Sequence, residues 1–383
     1  MRYQKRKWLL TAVLGLLAYA VTVAPAAAST SPVVGHVYVN DNTVGTNTIA
    51  GFDRHADGTL TTLRGSPFVA GGAGTGSAIG SQGALQVSAD GRYLLAVDAG
   101  SSQVSVLRIA PDGGLRLVGG GVRSSGGSQP VSIAIHGGLV YVANAGAGDS
   151  NYTGFRLNRG GQLRPISGST VSLPPDSQPG DVLFNSNGTD LVGARINSSL
   201  IDSFTVNSGG TLSAAPGSPF DAEGVGPFGS EFRPTNPDQL FVSNAHNGGT
   251  AGTVSAFNVG GDGALTSVAG SPFADNQAAP CWVEISHDGN FLFTVNTGSG
   301  SVSSYSIAPD GTLTLLGSTT FKQGKGTGAQ DARLGPGGNT LWVVETAAKA
   351  ISAFSVNGGS LTELASSPTA LPPNSAAFGI VVT

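Results

Sequence analysis

Apolar and polar residues alternate in short runs along most of this chain. From Val283 it reads VEISHDGNFLFTVNTGSGSVSSYSIAPDGTLTLLGS: an alternating run, an Asp-Gly turn, a second run ending at Asn296, a small-residue loop, a third run, another Asp-Gly turn and a fourth run. Alternation with period two buries one face of each run, and Asp-Gly supplies the positive-φ residue of a tight hairpin, so the segment predicts a four-stranded antiparallel meander. The same order recurs from Leu85 and, more loosely, from Ile133, Val182, Ser230 and Ala332. A leucine after the last turn marks each copy: Leu60, Leu115, Leu163, Leu212, Leu265, Leu313 and Leu361, spaced 48–55 residues apart. Seven copies of that period predict an all-β fold, a seven-bladed β-propeller with four-stranded antiparallel blades. The first copy starts at its second strand, GHVYVND from Gly35, while the C-terminal AAFGIVV from Ala376 matches the first-strand stretch PCWVEI from Pro280. The C-terminal strand is therefore expected to complete blade 1 and close the ring.

The N-terminus departs from this pattern. Arg2, Lys5, Arg6 and Lys7 precede an apolar run from Trp8 to about Val23, and Ala26, Ala27 and Ala28 supply small residues for cleavage. Such a segment predicts a secretory signal over residues 1–28, a short linker over 29–34 and a single propeller domain over 35–383, with the mature protein secreted or periplasmic. The apolar run is too short to span a bilayer, which takes about 20 residues. Cleavage leaves 15 basic against 23 acidic residues. That balance argues against nucleic acid and against anionic membrane surfaces as partners, and a monomer is expected. Only 11% of residues are charged, against about 25% in ordinary domains. The single cysteine, Cys281, excludes an intramolecular disulfide and a zinc site built on several thiolates.

The blade order also sorts the chemistry by face. Asp57, Asp90, Asp112, Asp262, Asp288 and Asp310 fall in hairpin turns on one face of the disc, where aspartate bonds its own backbone. Gly-Ser-Pro-Phe at Gly65, Gly217 and Gly270 reads as a proline-fixed bend where one blade hands over to the next. On the opposite face each second strand ends in a polar residue: Asn40, Asp98, Asn144, Arg195, Asn244, Asn296 and Glu345. This row either lines a ligand site or caps the loops that follow it. The first strands start there too, with Ala84, Ser132, Asp181, Gly229, Trp282, Asp331 and Gly379 expected around the mouth of an axial funnel. Two residues further in, Glu284 and Arg333 occupy matching places in adjacent blades beside Glu231, and their charged groups are expected within about 6 Å of each other. Asp98, Asn144, Asp181, Asn244, Trp282, Asn296 and Asp331 are thus the candidate ligand-binding residues. His246 is the one histidine on that face; no histidine pair has metal-ligand spacing, and neither a metal nor a cofactor is expected.

The stretch GPFGSEFRPTNPDQLFVSNA at Gly226–Ala245, the C-terminal FGIVV, and HVYV followed by DGTLTTL in blade 1 resemble the seven-bladed lactonase family, which includes 6-phosphogluconolactonase-like and 3-carboxymuconate cyclase-like proteins. The resemblance runs from about Gly35 to Thr383 and implies a lactone hydrolase on this fold. It also implies polar residues that this chain lacks: an Arg-His pair where Phe228 and Gly229 stand, a glutamate at Ala245, a second histidine at Arg233, and His, Arg and Arg at Gly180, Gln330 and Thr297. A sugar-phosphate lactone needs cations for its phosphate and a base to activate water. The reading favoured on these grounds is a secreted non-catalytic or ligand-binding propeller that takes a small molecule or a protein partner at its funnel face. A divergent hydrolase of an unphosphorylated lactone is the alternative, with His246, Glu231 or Glu345 as general base and Arg195 or Arg333 steadying the oxyanion. An extracellular protein-interaction scaffold is a further alternative.

Overall fold

The computed structural model describes residues 31–383 as seven antiparallel sheets, with no helix among them. The expected signal segment lies outside the described residues. In blades 2 to 7 the four strands follow chain order outward from the axis, with inner strands Leu85–Val87, Pro130–His136, Pro179–Phe184, Pro227–Arg233, Pro280–Ile285 and Ala329–Leu334. Blade 1 begins with its second strand, Val33–Asn40, which takes in Val33 and Val34 ahead of the start expected at Gly35. Its inner strand is the C-terminal Phe378–Val382, paired antiparallel with Val37 opposite Val382 and Val39 opposite Ile380. Backbone bonds between His36 and Thr383 extend this closure to the last residue.

Hairpin chemistry explains the strand ends. The side-chain oxygens of Asp57, Asp90, Asp112, Asp262, Asp288 and Asp310 each accept the backbone N–H two residues on. The glycines after Asp57 and Asp112 have φ of 78° and 80°, a region open to them because they lack a Cβ. In blades 1, 4, 5 and 7 the outer strand is cut in two around a cis Ser-Pro bond. The hydroxyls of Ser66, Ser218, Ser271 and Ser367 accept third-strand N–H groups there, so the broken ladder keeps its bonds. Blades 2 and 6 carry unbroken outer strands, Leu115–Ser124 and Leu313–Thr320.

Between blades, the faces of adjacent sheets bury side chains such as Trp342, Tyr141, Tyr152, Phe293 and Phe354 completely or nearly so. Tyrosine hydroxyls inside these layers find carbonyls of the next blade: Tyr38 donates to Gly113 and Tyr141 to Gly210. The turns on one face are thereby tied to neighbouring sheets, and that rigidity holds the axial residues in register.

Candidate functional site

The second-strand row is buried. Asp98, Asn144, Asn244, Asn296 and Glu345 are wholly inaccessible, and Arg195 is 9% exposed. Each bonds a polar side chain across its own loop, on or at the entrance to the third strand. Asp98 accepts from Ser105 at 2.5 Å and Asn47 at 2.9 Å; Asn144 donates to Asn151 at 2.9 Å. Asn244 donates to Ser255 and Asn296 to Ser303, both at 2.8 Å, and Glu345 accepts from Ser352. Arg195 makes two bonds to Asp202, one of them at 2.6 Å. Arginine occurs in this row because blade 4 places an aspartate where other blades place serine or asparagine. Outside blade 5 the partner lies seven residues on, so pairs such as Asn40 and Asn47, Arg195 and Asp202, or Asn296 and Ser303 were a readable signal that an inventory of strand ends misses. Burial pushes the carboxyls of Asp98 and Glu345 above their ordinary range, against the bonds from Ser105 and Ser352.

The expected funnel mouth is closed by the chain itself. The connection from blade 1 to blade 2, residues 70–84, is the longest between blades, and its end crosses the axis. Gln82 donates its backbone N–H to Gly180 at 3.0 Å and its carboxamide N–H to the Ser230 carbonyl at 2.7 Å, and its Oε1 accepts from Val283 N–H at 3.0 Å. The indole of Trp282 donates to Ser81 O at 2.6 Å; Gly83 donates to Asp331 Oδ2 at 3.1 Å and accepts from Ile133 N–H at 3.0 Å. Three consecutive residues, Ser81, Gln82 and Gly83, thus touch blades 3 to 7. Gly229 makes room for them: a Cβ there would lie 2.2 Å from Gln82 Oε1 and 2.7 Å from the Cys281 carbonyl. Trp282, packed edge-on against Phe228, and Asp331 sit under this strap rather than around an opening. His246 is exposed on the rim of the same face against Phe228, away from the axial residues.

Below the strap lies an axial cavity of about 160 Å³ lined by Gln82, Gln86, Asp181, Glu231 and Arg333, with Leu183 and Phe184 toward its far end. Arg333 and Glu284 meet at 3.2 Å, as their blade positions predict. Glu284 also accepts from Leu334 N–H at 2.9 Å. Asp181 accepts from the Ser230 hydroxyl at 2.6 Å and N–H at 3.0 Å, and Asp331 from Gly83 and Ala332. Glu231 alone among these acids has no hydrogen-bond or ion-pair partner among the described residues. Burial pushes Glu231 well above the ordinary glutamate range, with Glu284 adding repulsion and Arg333 opposing it. Burial likewise lifts Asp181 to about 7 and Asp331 to about 6. Glu284 pulls the Arg333 guanidinium upward, so it stays charged.

A half-buried free carboxyl beside a fixed cation can bind and polarise a small polar molecule or take a proton from water. Among the described residues no three His, Cys, Asp or Glu side chains are grouped to hold a metal ion. Cys281 is buried, its thiol pushed up to about 12 by desolvation.

The family model described as "Lactonase, 7-bladed beta-propeller" matches residues 44–175 and 231–377. No curated protein sequence matches the chain. Among solved structures, a candidate 6-phosphogluconolactonase from Bacteroides uniformis superposes with a TM-score of 0.72 at 19% identity, covering 91% of this chain and 98% of that one. One from Bacteroides fragilis gives 0.70 at 20%, covering 90% and 98%, and the periplasmic gluconolactonase of Pseudomonas aeruginosa gives 0.69 at 18%, covering 91% and 98%. At such identities the likeness reports fold.

Proposed function

We propose that this chain, which belongs to the seven-bladed β-propeller lactonase family, is an exported hydrolase of a small unphosphorylated lactone, working in its axial cavity. The observation that carries the reading is Glu231: the one acid of the cavity without a bonded partner, next to a guanidinium that stays charged. In its ionised form Glu231 takes a proton from water as the water oxygen bonds to the lactone carbonyl carbon. Arg333 donates to the oxyanion so formed. The tetrahedral carbon then releases the ring oxygen, which recovers the proton from Glu231. A phosphate group fits poorly, because Arg333 is already paired with Glu284 and the cavity is otherwise acidic. The N-terminal segment supports export, and the periplasmic gluconolactonase among the similar structures agrees with it.

A pH-stat panel of unphosphorylated aldonolactones and aromatic lactones tests the reading, with Glu231→Gln beside the wild type. The expected result is turnover that falls about 10²-fold or more in the variant. Wild-type activity should rise with pH along a limb above the ordinary carboxylate range, since only ionised Glu231 accepts the proton. No turnover above buffer on any lactone would overturn the hydrolase. It would leave the non-catalytic propeller, which the strap over Gly180, Phe228 and Gly229 favours, because those positions lack the polar residues the family resemblance implies.

A further inference from the structure

We infer that small uncharged ligands reach the axial cavity through the face of the Asp-Gly turns, and that residues 80–83 are a fixed stopper on the opposite face. The burial pattern along the inner strands supports the direction. Their starts are sealed: Ala84, Ser132, Asp181, Trp282 and Asp331 are at most 3% exposed. Around the cavity the far halves open in blades 2, 3, 4, 5 and 7: Gln86, Ile135, Leu183, Phe184, Glu231 and Arg333 are all partly exposed and all six line the cavity, whereas Glu284 of blade 6 stays buried. A funnel open on the strap face would show the reverse gradient. The strap is held across five blades by buried hydrogen bonds at both its backbone and the Gln82 carboxamide, so moving it exposes several unpaired polar groups at once.

Charge and size set the ligand class. At 160 Å³ the cavity is below the roughly 300 Å³ at which drug-sized pockets begin. Its wall carries Asp181, Glu231 and Arg333, and Arg333 is already paired with Glu284, so an anion finds no unpaired cation there and gains nothing from the acids. A compact neutral molecule rich in hydroxyl or carbonyl groups fits both limits. That it is a lactone rests on the hydrolase reading; the route and the charge preference do not.

The test reads access instead of activity. Glu231→Cys is exposed to a neutral and to a sulfonate-bearing methanethiosulfonate. The thiolate attacks the sulfenyl sulfur, a mixed disulfide forms and methanesulfinate leaves, and the adduct is counted by mass spectrometry. Buried Cys281 serves as the unreactive internal control. The neutral reagent should label the native variant once per chain. The anionic one should react slower by about tenfold or more after normalisation to free cysteine. Adding Leu183→Trp at the far opening should abolish labelling, whereas Ala78→Trp, at an exposed residue just ahead of the stopper, should leave it unchanged. If Leu183→Trp lowers the urea midpoint into the assay range, Gln86→Trp blocks the same opening. Labelling lost with Ala78→Trp but kept with Leu183→Trp or Gln86→Trp would overturn the route; equal rates for both reagents would overturn the charge preference. If labelling behaves as expected while the pH-stat panel is silent, the hydrolase reading falls and the route stands.

Discussion

Replacing Gln82 by alanine removes the side chain that joins blades 5 and 6 across the axis while leaving the strap backbone intact. Two groups lose their partners: the Val283 N–H, bonded at 3.0 Å, and the Ser230 carbonyl, bonded at 2.7 Å. Gln82 is 5% exposed, and the strap blocks water from the funnel face. An orphaned buried N–H costs about 2–3 kcal/mol and a carbonyl, with its second lone pair, about 1 kcal/mol, so the expected loss is about 3–4 kcal/mol. Urea unfolding checks it: the midpoint should fall with the m-value unchanged, since the folded surface is nearly the same. A second variant separates contact from general damage. In Gly229→Ala the new Cβ meets Gln82 Oε1 at 2.2 Å and the Cys281 carbonyl at 2.7 Å, and only the first clash disappears when Gln82 is also alanine. The double variant should therefore be less destabilised than the sum of the singles by about 1 kcal/mol. A loss below about 0.5 kcal/mol for Gln82→Ala, within the range of an indifferent surface change, would refute a strap bonded to the inner strands.

Three more outcomes follow from the axial residues. Arg333→Met should cost about 3 kcal/mol in urea unfolding, because it strands the buried Glu284 carboxylate, and Glu284→Gln in the same chain should recover most of it. Asp181 has its pKa raised from 3.8 to about 7, so its share of stability is complete below the ordinary aspartate value and is lost as pH rises through about 7. Asp181→Asn should accordingly flatten the fall in unfolding free energy between pH 4 and 8, by up to about 4 kcal/mol if the whole shift is expressed; an unchanged slope would show that the acid does not titrate between those limits. Cys281, with its thiol pushed up to about 12, should ignore an aromatic disulfide reagent in the native protein and react once per chain in urea, and fast native reaction would contradict its burial.

Period and turns were legible because they are local, and ring closure because the inner-strand pattern missing from blade 1 recurs at the C-terminus. The Asp-Gly turns need a positive φ and an acceptor within two residues, alternation fixes which face is buried, and Phe378–Val382 carries the same inner-strand pattern as Pro280–Ile285. The Glu284–Arg333 pair was legible for a related reason: equal positions in adjacent repeats meet around an axis whatever the intervening sequence. The second-strand row was read by position but not by partner. Its bonds to Ser105, Asn151, Asp202 and Ser303 span a loop, and the spacing of seven residues has meaning only once the second and third strands are known to pair.

The path of residues 70–84 had no such signature. In sequence it is a run of glycine and small polar residues between two strands, equally consistent with an exposed loop. Its course follows from vacancies that other blades leave at Gly180 and Gly229, and from unpaired groups at Ser230, Val283 and Trp282 that Gln82 and Ser81 satisfy. The fold is thus written in short-range chemistry repeated seven times, whereas the closed mouth, the free Glu231 and the side from which the axis is reached depend on residues as far as 248 positions apart, which only packing brings together.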